Sequence, residues 1–361
     1  MSTRHQLLIH TMAAVLATLT ADAAAAANTV TTRYGKWEIT LTDLGALTPT
    51  GQSSAYSINE LGEIVGTATD ANGLMVRPIW SNGIVTGFLS GVQGTPYAWN
   101  SRHEAVGANV VNTKISCSMF WIPGLSGQLP PLPGGRSCAT YAFDVNALGE
   151  MSGGAESSTP VLQTRPVTWR NGIIYRDLGM PPGARHAVGS GINDNGDVAG
   201  HMTDAATGRI DAFLYSNGQY TVLPPLPGPF ATYAIDINNN GDVAGTSNGG
   251  VPVVWKKGAA APMVLPVPAG RYFHQLWRMN DNGDVVGSVS APPPAFYSGA
   301  LWRNGEFIDL GIWPGGIEAY ARGVNNAGTI VGVSNVPEGV YGLHAVSWTV
   351  RARSGRKSPG R

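Results

Sequence analysis

Three arginines at matching positions are the residues of this chain best suited to bind an anion. Arg136, Arg185 and Arg271 each follow a proline by three residues, in segments rich in turn residues. A planar guanidinium can hold a carboxylate or a sulfate group through two parallel hydrogen bonds. The shared offset predicts a ring of arginines that binds an anionic sugar. The alternative is three solvated side chains, each stacked on a nearby tyrosine.

Other side chains with binding or proton-transfer chemistry lie in or beside the same kind of segment. Phe230 takes the place of the arginine in one of them, and Trp313 could stack on a sugar ring. With Arg185 and Arg271, the remaining candidates could also serve a polysaccharide lyase or hydrolase. No Gly-Xaa-Ser-Xaa-Gly nucleophile motif occurs, so we assign no catalytic residue. The rest of the candidate ligand-binding set consists of His186, Tyr272, His274 and Glu318.

Two runs look like calcium loops, at 193–197 and 280–284. Both lack the downstream glutamate of such a loop, and Asn, Asp and Gly are also the residues that a tight turn needs. A site built from His186, His201 and His274 would need three separate repeats to converge. We therefore predict structural turns, no bound metal and no cofactor.

The elements that position these residues form a repeat. An Asn ends a β-type run, a tight turn follows, and then come a Gly-ended run and an apolar run that ends in Trp or Tyr. A period of 41 to 47 residues indicates a repeat architecture in which each unit covers the apolar face of its neighbour. High glycine and proline contents, 48 and 25 residues, suit short strands joined by turns. The repeated Asn residues are Asn59, Asn100, Asn146, Asn193, Asn238, Asn280 and Asn325.

One repeat contains four predicted strands. Residues 188–193 and 197–200 form a first hairpin, and residues 211–215 and 219–223 form a second around Asn217-Gly218. Four strands in about 45 residues match one blade of a β-propeller. Six tryptophans and Tyr215 share one position of the repeat, which predicts that they pack inside the blades, whereas Trp277 lies off that register.

The two ends of the chain lack strand partners in a complementary way. The first Asp-Leu-Gly strand, 37–45, has no preceding partner, and the last Trp strand, 345–350, has no following one. Pairing the two would close the ring and remove two exposed sheet edges. We therefore predict an all-β fold, a seven-bladed β-propeller of four-stranded blades over residues 28–350, closed by pairing of the N- and C-terminal strands.

The repeat resembles the HAF-repeat family of extracellular proteins, whose units carry Ile-Asn, Val-Val-Gly and then His-Ala-Phe before a Trp. The resemblance extends from Asp43 to Trp348. It implies secretion and a repeat scaffold, with no activity to carry over. The naming triplet is most nearly kept at His344-Ala345-Val346 and Asp211-Ala212-Phe213 and is lost at Arg77-Pro78-Ile79 and Arg165-Pro166-Val167.

Strand direction sorts the predicted loops onto the two ends of the ring. The Asn turns and the Asn-Gly hairpins fall on one end, which we call the tight-turn face. The other end, the variable-loop face, collects the loops that differ in length and sequence, including those that carry the three arginines. Rigid blades that hold changeable loops often present a binding surface there, so we predict the ligand at the variable-loop face.

The start of the chain predicts export. Arg4 precedes an apolar stretch, 7–19, and a run of alanines, so residues 1–27 are predicted to be a secretory signal. The apolar stretch is too short to predict a membrane span.

Residues 351–361 form a basic tail that we predict to be disordered. In an exported protein, Cys117 and Cys138, which both fall on the variable-loop face, are expected to form a disulfide rather than to remain free thiols.

Charge and composition narrow the choice of partner. Without the leader and the tail, 17 basic residues stand against 22 acidic ones, which argues against nucleic acid. The sequence favours a secreted, periplasmic or extracellular protein that acts as a non-catalytic binding scaffold for a glycan or a cell-envelope protein, with no membrane span after signal cleavage. A secreted polysaccharide lyase or hydrolase and a purely structural surface array are the alternatives.

Overall fold

The computed structural model describes residues 29–112, 115–158, 161–336 and 342–353. The predicted leader, 1–27, lies outside the described residues, as does most of the predicted tail, at 354–361. Within the described ranges every regular element is a β-strand, and the strands form antiparallel sheets. The predicted all-β fold is confirmed.

The sheets are the seven predicted blades, and the first half of the chain builds blades 1 to 3. The chain starts with two strands that belong to the last blade, β1 (Thr29–Tyr34) and β2 (Trp37–Asp43). The strands of blades 1 to 3 are, in order, β3 (Ser53–Ile58), β4 (Ile64–Thr69), β5 (Met75–Val76), β6 (Pro78–Ser81) and β7 (Ile84–Phe88); β8 (Thr95–Trp99), β9 (Ala105–Asn112), β10 (Ile115–Ile122) and β11 (Leu125–Gln128); and β12 (Thr140–Val145), β13 (Met151–Ser157), β14 (Gln163–Arg170) and β15 (Ile173–Asp177). Blade 1 consists of β3, β4, β6 and β7 in that order, and the two-residue strand β5 also pairs with β4.

The second half builds blades 4 to 7. The first strand of every blade contacts the first strands of both neighbouring blades, so these seven inner strands surround a central axis. The remaining strands are β16 (Ala184–Ile192), β17 (Val198–Asp204), β18 (Ile210–Ser216) and β19 (Gln219–Val222); β20 (Tyr233–Ile237), β21 (Val243–Ser247), β22 (Val251–Trp255) and β23 (Met263–Val264); β24 (Phe273–Met279), β25 (Val285–Ser290), β26 (Tyr297–Arg303) and β27 (Glu306–Gly311); and β28 (Ala319–Val324), β29 (Ile330–Val336) and β30 (Gly342–Ala352).

Blade 7 joins the two ends of the chain. Strand β2 pairs antiparallel with β30, with Leu41 opposite Trp348, so the predicted closure is confirmed. Strand β30 continues through Ala352, two residues beyond the predicted end of the propeller at 350, because Ala352 pairs with Trp37. Strand β1 was not predicted; it adds a fifth strand outside β2 and turns into it through Gly35 at φ 56°.

A ring of side-chain hydrogen bonds links the inner ends of the blades. Each repeated Asn is buried and donates from Nδ2 to the main-chain carbonyl of the repeated Asn in the next blade, at 2.8–3.3 Å. The last step, from Asn325 to Asn59, completes the circle at 3.1 Å. Each Oδ1 accepts the main-chain N–H four residues later, at 2.9–3.0 Å, which shapes the tight turn. One residue type therefore sets both the turn and the contact between blades.

Every inner strand has a one-residue bulge three residues before its repeated Asn. The strand pairing skips that residue in all seven blades. A bulge bends the strand and redirects a side chain. The skipped residues are half-buried on the strands that surround the axis: Tyr56, Tyr97, Phe143, Ser190, Ile235, Trp277 and Arg322.

The six repeated tryptophans pack inside the blades, as predicted. All of them are at most 2% exposed, whereas Tyr215 is half-buried. Four of them donate from Nε1 to a carbonyl in the loop that enters their own blade, at 2.7–3.1 Å. The apolar body of the indole fills the blade while its N–H fixes the loop. The six are Trp80, Trp121, Trp169, Trp255, Trp302 and Trp348.

The naming triplet and the Asp-Leu-Gly motif contact each other across the outer strands. His344 Nδ1 lies 2.9 Å from an Asp43 carboxylate oxygen, and Arg165 pairs with Asp177 at 3.1 Å in blade 3. The first of these pairs joins the N- and C-terminal strands. In both blades the residue at the first position of the triplet, His344 or the Arg165 that replaces histidine, is the partner of the Asp-Leu-Gly aspartate.

The predicted disulfide is present. Cys117, on β10 of blade 2, is bonded to Cys138, in the loop that leads into blade 3. The bond closes a span of 21 residues and ties two neighbouring blades at the variable-loop face.

Candidate functional site

Four aromatic rings at the variable-loop face are more than half exposed. Tyr141 is 52% exposed, Phe230 63%, Tyr272 74% and Phe296 59%. Two of them lie at the starts of inner strands, and two lie in the loops before β20 and β26. Within the described ranges, the tight-turn face has no comparably exposed Phe, Tyr or Trp. Stacking surfaces are therefore concentrated on the face where a ligand was predicted.

The three predicted arginines differ in their surroundings. Arg136 forms a two-pronged pair with Glu156, at 2.6–3.2 Å, and its guanidinium lowers the pKa of that carboxyl. Arg271 pairs with Asp309 at 2.7 Å and is mostly buried. Arg185 is exposed and has no ion pair within the described part of the chain. An anion clamp made of all three would have to compete with two carboxylates of the protein itself.

His274 and Glu318, two of the predicted site residues, lie at the boundary of blades 6 and 7 beside Tyr297 and Tyr320. The His274 ring lies 4.1 Å from that of Tyr297 and 5.8 Å from that of Tyr320, measured between ring centroids. His274 Nδ1 is 2.9 Å from Ser288 Oγ, and Tyr320 donates its hydroxyl proton to Glu318 at 2.8 Å. Sequence reasoning found His274 and Glu318 but missed both tyrosines. Tyr297 holds no repeated position, whereas Tyr320 lies five residues before the repeated Asn, as Tyr141 and Tyr233 do.

Burial tunes the protonation of this cluster. It lowers the pKa of His274, so the imidazole is neutral over a wider pH range than in water. Burial, followed by the hydrogen bond to Glu318, raises the pKa of Tyr320, which keeps its hydroxyl protonated. The cluster therefore offers a neutral imidazole, a phenol donor and a carboxylate to a molecule at this face.

The other predicted residues lie elsewhere. His186 is exposed on blade 4, where its Nδ1 accepts the main-chain N–H of Thr164 at 3.3 Å. Trp313 packs against the core of blade 7 and is half-buried. The structure thus gathers Arg271, Tyr272, His274, Trp313 and Glu318 around blades 6 and 7 and distributes the remaining predicted residues over other blades.

A feature that sequence reasoning did not predict is a cavity of about 180 Å³ on the axis, at the tight-turn face. The ring of repeated Asn residues surrounds it, and the residues that follow three of them line its mouth: Glu60, Asp194 and Asp281. Their shared position in the repeat is the signal that could have revealed this acidic mouth. Burial raises the pKa of Glu60, and the nearby Asp281 and Asp194 add to the effect, although the Asn326 N–H opposes it.

The floor of this cavity is a guanidinium that spans the axis. From blade 6, Arg278 donates to the Phe143 carbonyl of blade 3 at 2.8 Å and approaches Asp144 at 3.4 Å and Asp236 at 3.7 Å. Burial raises the pKa of both carboxyls, that of Asp236 to about 7, while Arg278 opposes the shift.

The acidic turns use their oxygens within the protein. Asp194 accepts the main-chain N–H of Ala147 and Asp281 accepts that of Asn239, both at 2.8 Å. Nowhere in the described ranges do three or more His, Cys, Asp or Glu side chains come together in a way that could hold a metal ion. The same ranges contain no helix of the length and apolar character needed to cross a membrane.

Fold and faces together define a closed, seven-bladed β-propeller with one aromatic loop face and one acidic axial cavity. No family model matches the chain, and the search of curated proteins found no match. The structure is similar to the β-propeller domain of the Trilobed protease from Pyrococcus furiosus, which is described as having an open velcro topology. That match has a TM-score of 0.54 and 11% identity and covers 86% of this chain and 97% of that one.

An oligogalacturonate lyase in complex with manganese is similar at a TM-score of 0.51 and 11% identity, covering 90% of this chain and 96% of the lyase. Identities of this size show the fold alone. The chain is a β-propeller by structure, and its function has to be argued from its own residues.

Proposed function

We propose that this chain is an exported β-propeller of the HAF-repeat type that binds an extracellular glycan through its variable-loop face without catalysing a reaction. The main support is the set of exposed rings on that face, Tyr141, Phe230, Tyr272 and Phe296. The described residues of the tight-turn face include no comparably exposed ring. An aromatic ring that is fixed by a rigid blade presents a flat apolar surface that suits the C–H face of a sugar.

Two further observations support this proposal. The Cys117–Cys138 disulfide is typical of proteins from oxidising compartments, where extracellular glycans are met. The exposed rings are mounted on loops and strand starts of blades that are locked into one ring, so little order is lost when a ligand binds.

A glycan array probed with the mature protein tests the proposal. We expect Tyr272→Ala and Phe230→Ala each to weaken binding by about tenfold, the loss expected for about 1.4 kcal/mol of stacking. Tyr175→Ala is a matched control, because Tyr175 is as exposed as Tyr141, 52%, but lies on the outer strand β15. Equal loss in the control, or binding that all variants retain, would contradict the assignment to this face. Capture of a cell-envelope protein with no glycan binding would also overturn it.

A polysaccharide lyase or hydrolase remains a second candidate because of one cluster. His274, Tyr297 and Tyr320 lie within ring contact, beside the Glu318 carboxylate. Lyase and hydrolase chemistry both need groups that give and take protons within one site. The test is incubation with neutral and acidic polysaccharides, the latter chosen because a lyase shares this fold. Turnover that is lost in His274→Ala would replace the non-catalytic proposal.

A further inference from the structure

Beneath the variable-loop face, four consecutive blades place hydrogen-bond donors in one layer around the central axis. Trp277 of blade 6, Arg322 of blade 7, Tyr56 of blade 1 and Tyr97 of blade 2 all occupy the bulged position of their inner strands. We call these four residues the donor layer. All four side chains are half-buried.

The donor layer is held together by its rings. The Arg322 guanidinium carbon lies 4.5 Å from the Tyr56 ring centroid and 5.7 Å from that of Trp277. The Tyr56 and Tyr97 ring centroids are 6.4 Å apart. Stacking of this kind fixes the plane of a guanidinium while leaving its N–H groups, which lie in that plane, available to a ligand.

These donors lack acceptors. Arg322 Nε and Nη1 and Trp277 Nε1 are enclosed and have no hydrogen-bond partner in the described part of the chain, and Arg322 forms no ion pair there. The neighbouring Arg278 is the opposite case, because two aspartates and a carbonyl surround its guanidinium. A partly buried cation without an anion is costly, because no carboxylate of the protein compensates its desolvation.

We infer that the donor layer is a binding site for a carboxylate, with Arg322 as the charged anchor and Trp277 Nε1 as a second donor. A carboxylate supplies the missing negative charge and accepts several N–H bonds at once. The source of the carboxylate rests on the proposed function: an acidic sugar of the bound glycan would direct its carboxylate down the axis. Arg136 and Arg271 already pair with Glu156 and Asp309, so the unpaired guanidinium of Arg322 is the better anion receptor.

Sodium acetate and sodium glucuronate, titrated calorimetrically into the mature protein against sodium chloride at equal ionic strength, test the site. We expect saturable binding of both in the millimolar range and about tenfold weaker binding in Arg322→Gln, the loss of one charge-assisted contact. Trp277→Phe keeps the ring but removes the donor, and should weaken binding by about threefold to tenfold. Arg33→Gln is the control, because Arg33 is exposed on the outermost strand.

The outcomes separate this site from the proposed function. Acetate binding that persists in Tyr272→Ala and Phe230→Ala but falls in Arg322→Gln supports the site, even if the array shows no glycan. Absence of saturable acetate binding, or equal affinity in wild type and Arg322→Gln, overturns it. If circular dichroism shows that Arg322→Gln does not fold, the acetate affinity of Trp277→Phe is compared with that of wild type instead. Weaker binding in Trp277→Phe supports the site, and equal affinity overturns it.

Discussion

At the scale of single residues, the repeated Asn is the most constrained position of this molecule. Its side-chain oxygen shapes a turn within one blade, and its side-chain nitrogen reaches the next blade. Asp and Ser can shape such a turn, but neither offers both a carbonyl-type acceptor and an N–H donor on one short side chain. This double requirement explains why all seven copies keep Asn.

We predict that Asn238→Ala lowers the free energy of unfolding by about 2–4 kcal/mol. The change removes the bond to the Asn280 carbonyl and leaves the buried N–H group of Asp242, and the N–H group of Asn240, without their acceptor. Urea unfolding measures the loss. Asn72→Ala, in an exposed loop, should stay within about 0.5 kcal/mol of wild type. Equal losses in the two variants would show that the ring bonds contribute little.

A second prediction concerns Asp236 and pH. Burial raises its pKa to about 7 in the folded protein, whereas an unfolded aspartate titrates near pH 4. The folded state therefore holds the extra proton between these values, and stability falls as pH rises through the interval, by up to about 1.4 kcal/mol per pH unit. Asp236→Asn should flatten this dependence in thermal unfolding measured from pH 4 to 8. Identical slopes for the two proteins would contradict the assignment.

Sequence reasoning located individual site residues better than their partners. Arg136, His274 and Glu318 were recognised by type and offset, but the sequence does not show that Glu156 and Tyr320 are the partners of the first two. Arg322 could not be singled out either, because its significance depends on a bulge and on rings from two neighbouring blades. Such contacts arise only once the ring has closed.

At the scale of elements, the hairpins of each blade were predictable and the outermost strands were less so. Asn-Gly turns and period-two patterns marked the paired strands, as in β18 and β19. Strand β1 has an exposed, polar pattern that resembles a loop, and it becomes a strand because β2 offers it a free edge. Its existence is a property of the tertiary structure rather than of its own six residues.

The element that ties blades 2 and 3 is the disulfide, and its loss should be measurable. We predict that the double variant Cys117→Ala, Cys138→Ala is less stable by about 3 kcal/mol, the loop-closure contribution for a span of this size. Thermal unfolding with and without reductant makes the comparison. Reductant should lower the midpoint of wild type and leave that of the variant unchanged. A wild-type midpoint that resists full reduction would contradict the prediction.

At the scale of the whole molecule, closure is the property on which both faces depend. The sequence predicted it because each end of the chain lacked the strand that the other end supplied. A chain that starts at residue 46 would lack β1 and β2 and expose an edge of β30. We predict that this truncated chain associates or aggregates and that a synthetic peptide of residues 29–45 restores a monomer, as measured by light scattering. A monomeric, fully stable truncated chain would show that closure is dispensable.

Blade 7 also determines how the molecule can be tethered. Thr29 and Arg353, the first and last described residues, are both exposed, and both adjoin the outer strands of this one blade. Thr29 lies opposite Thr42 at the variable-loop end of the blade, whereas Arg353 lies beside Lys36 at the tight-turn end. A linker attached at Arg353 should therefore leave the exposed rings of the variable-loop face turned toward solution, and a linker attached at Thr29 should leave the acidic cavity mouth turned toward solution. The two attachments together make each face accessible to a surface-based binding measurement.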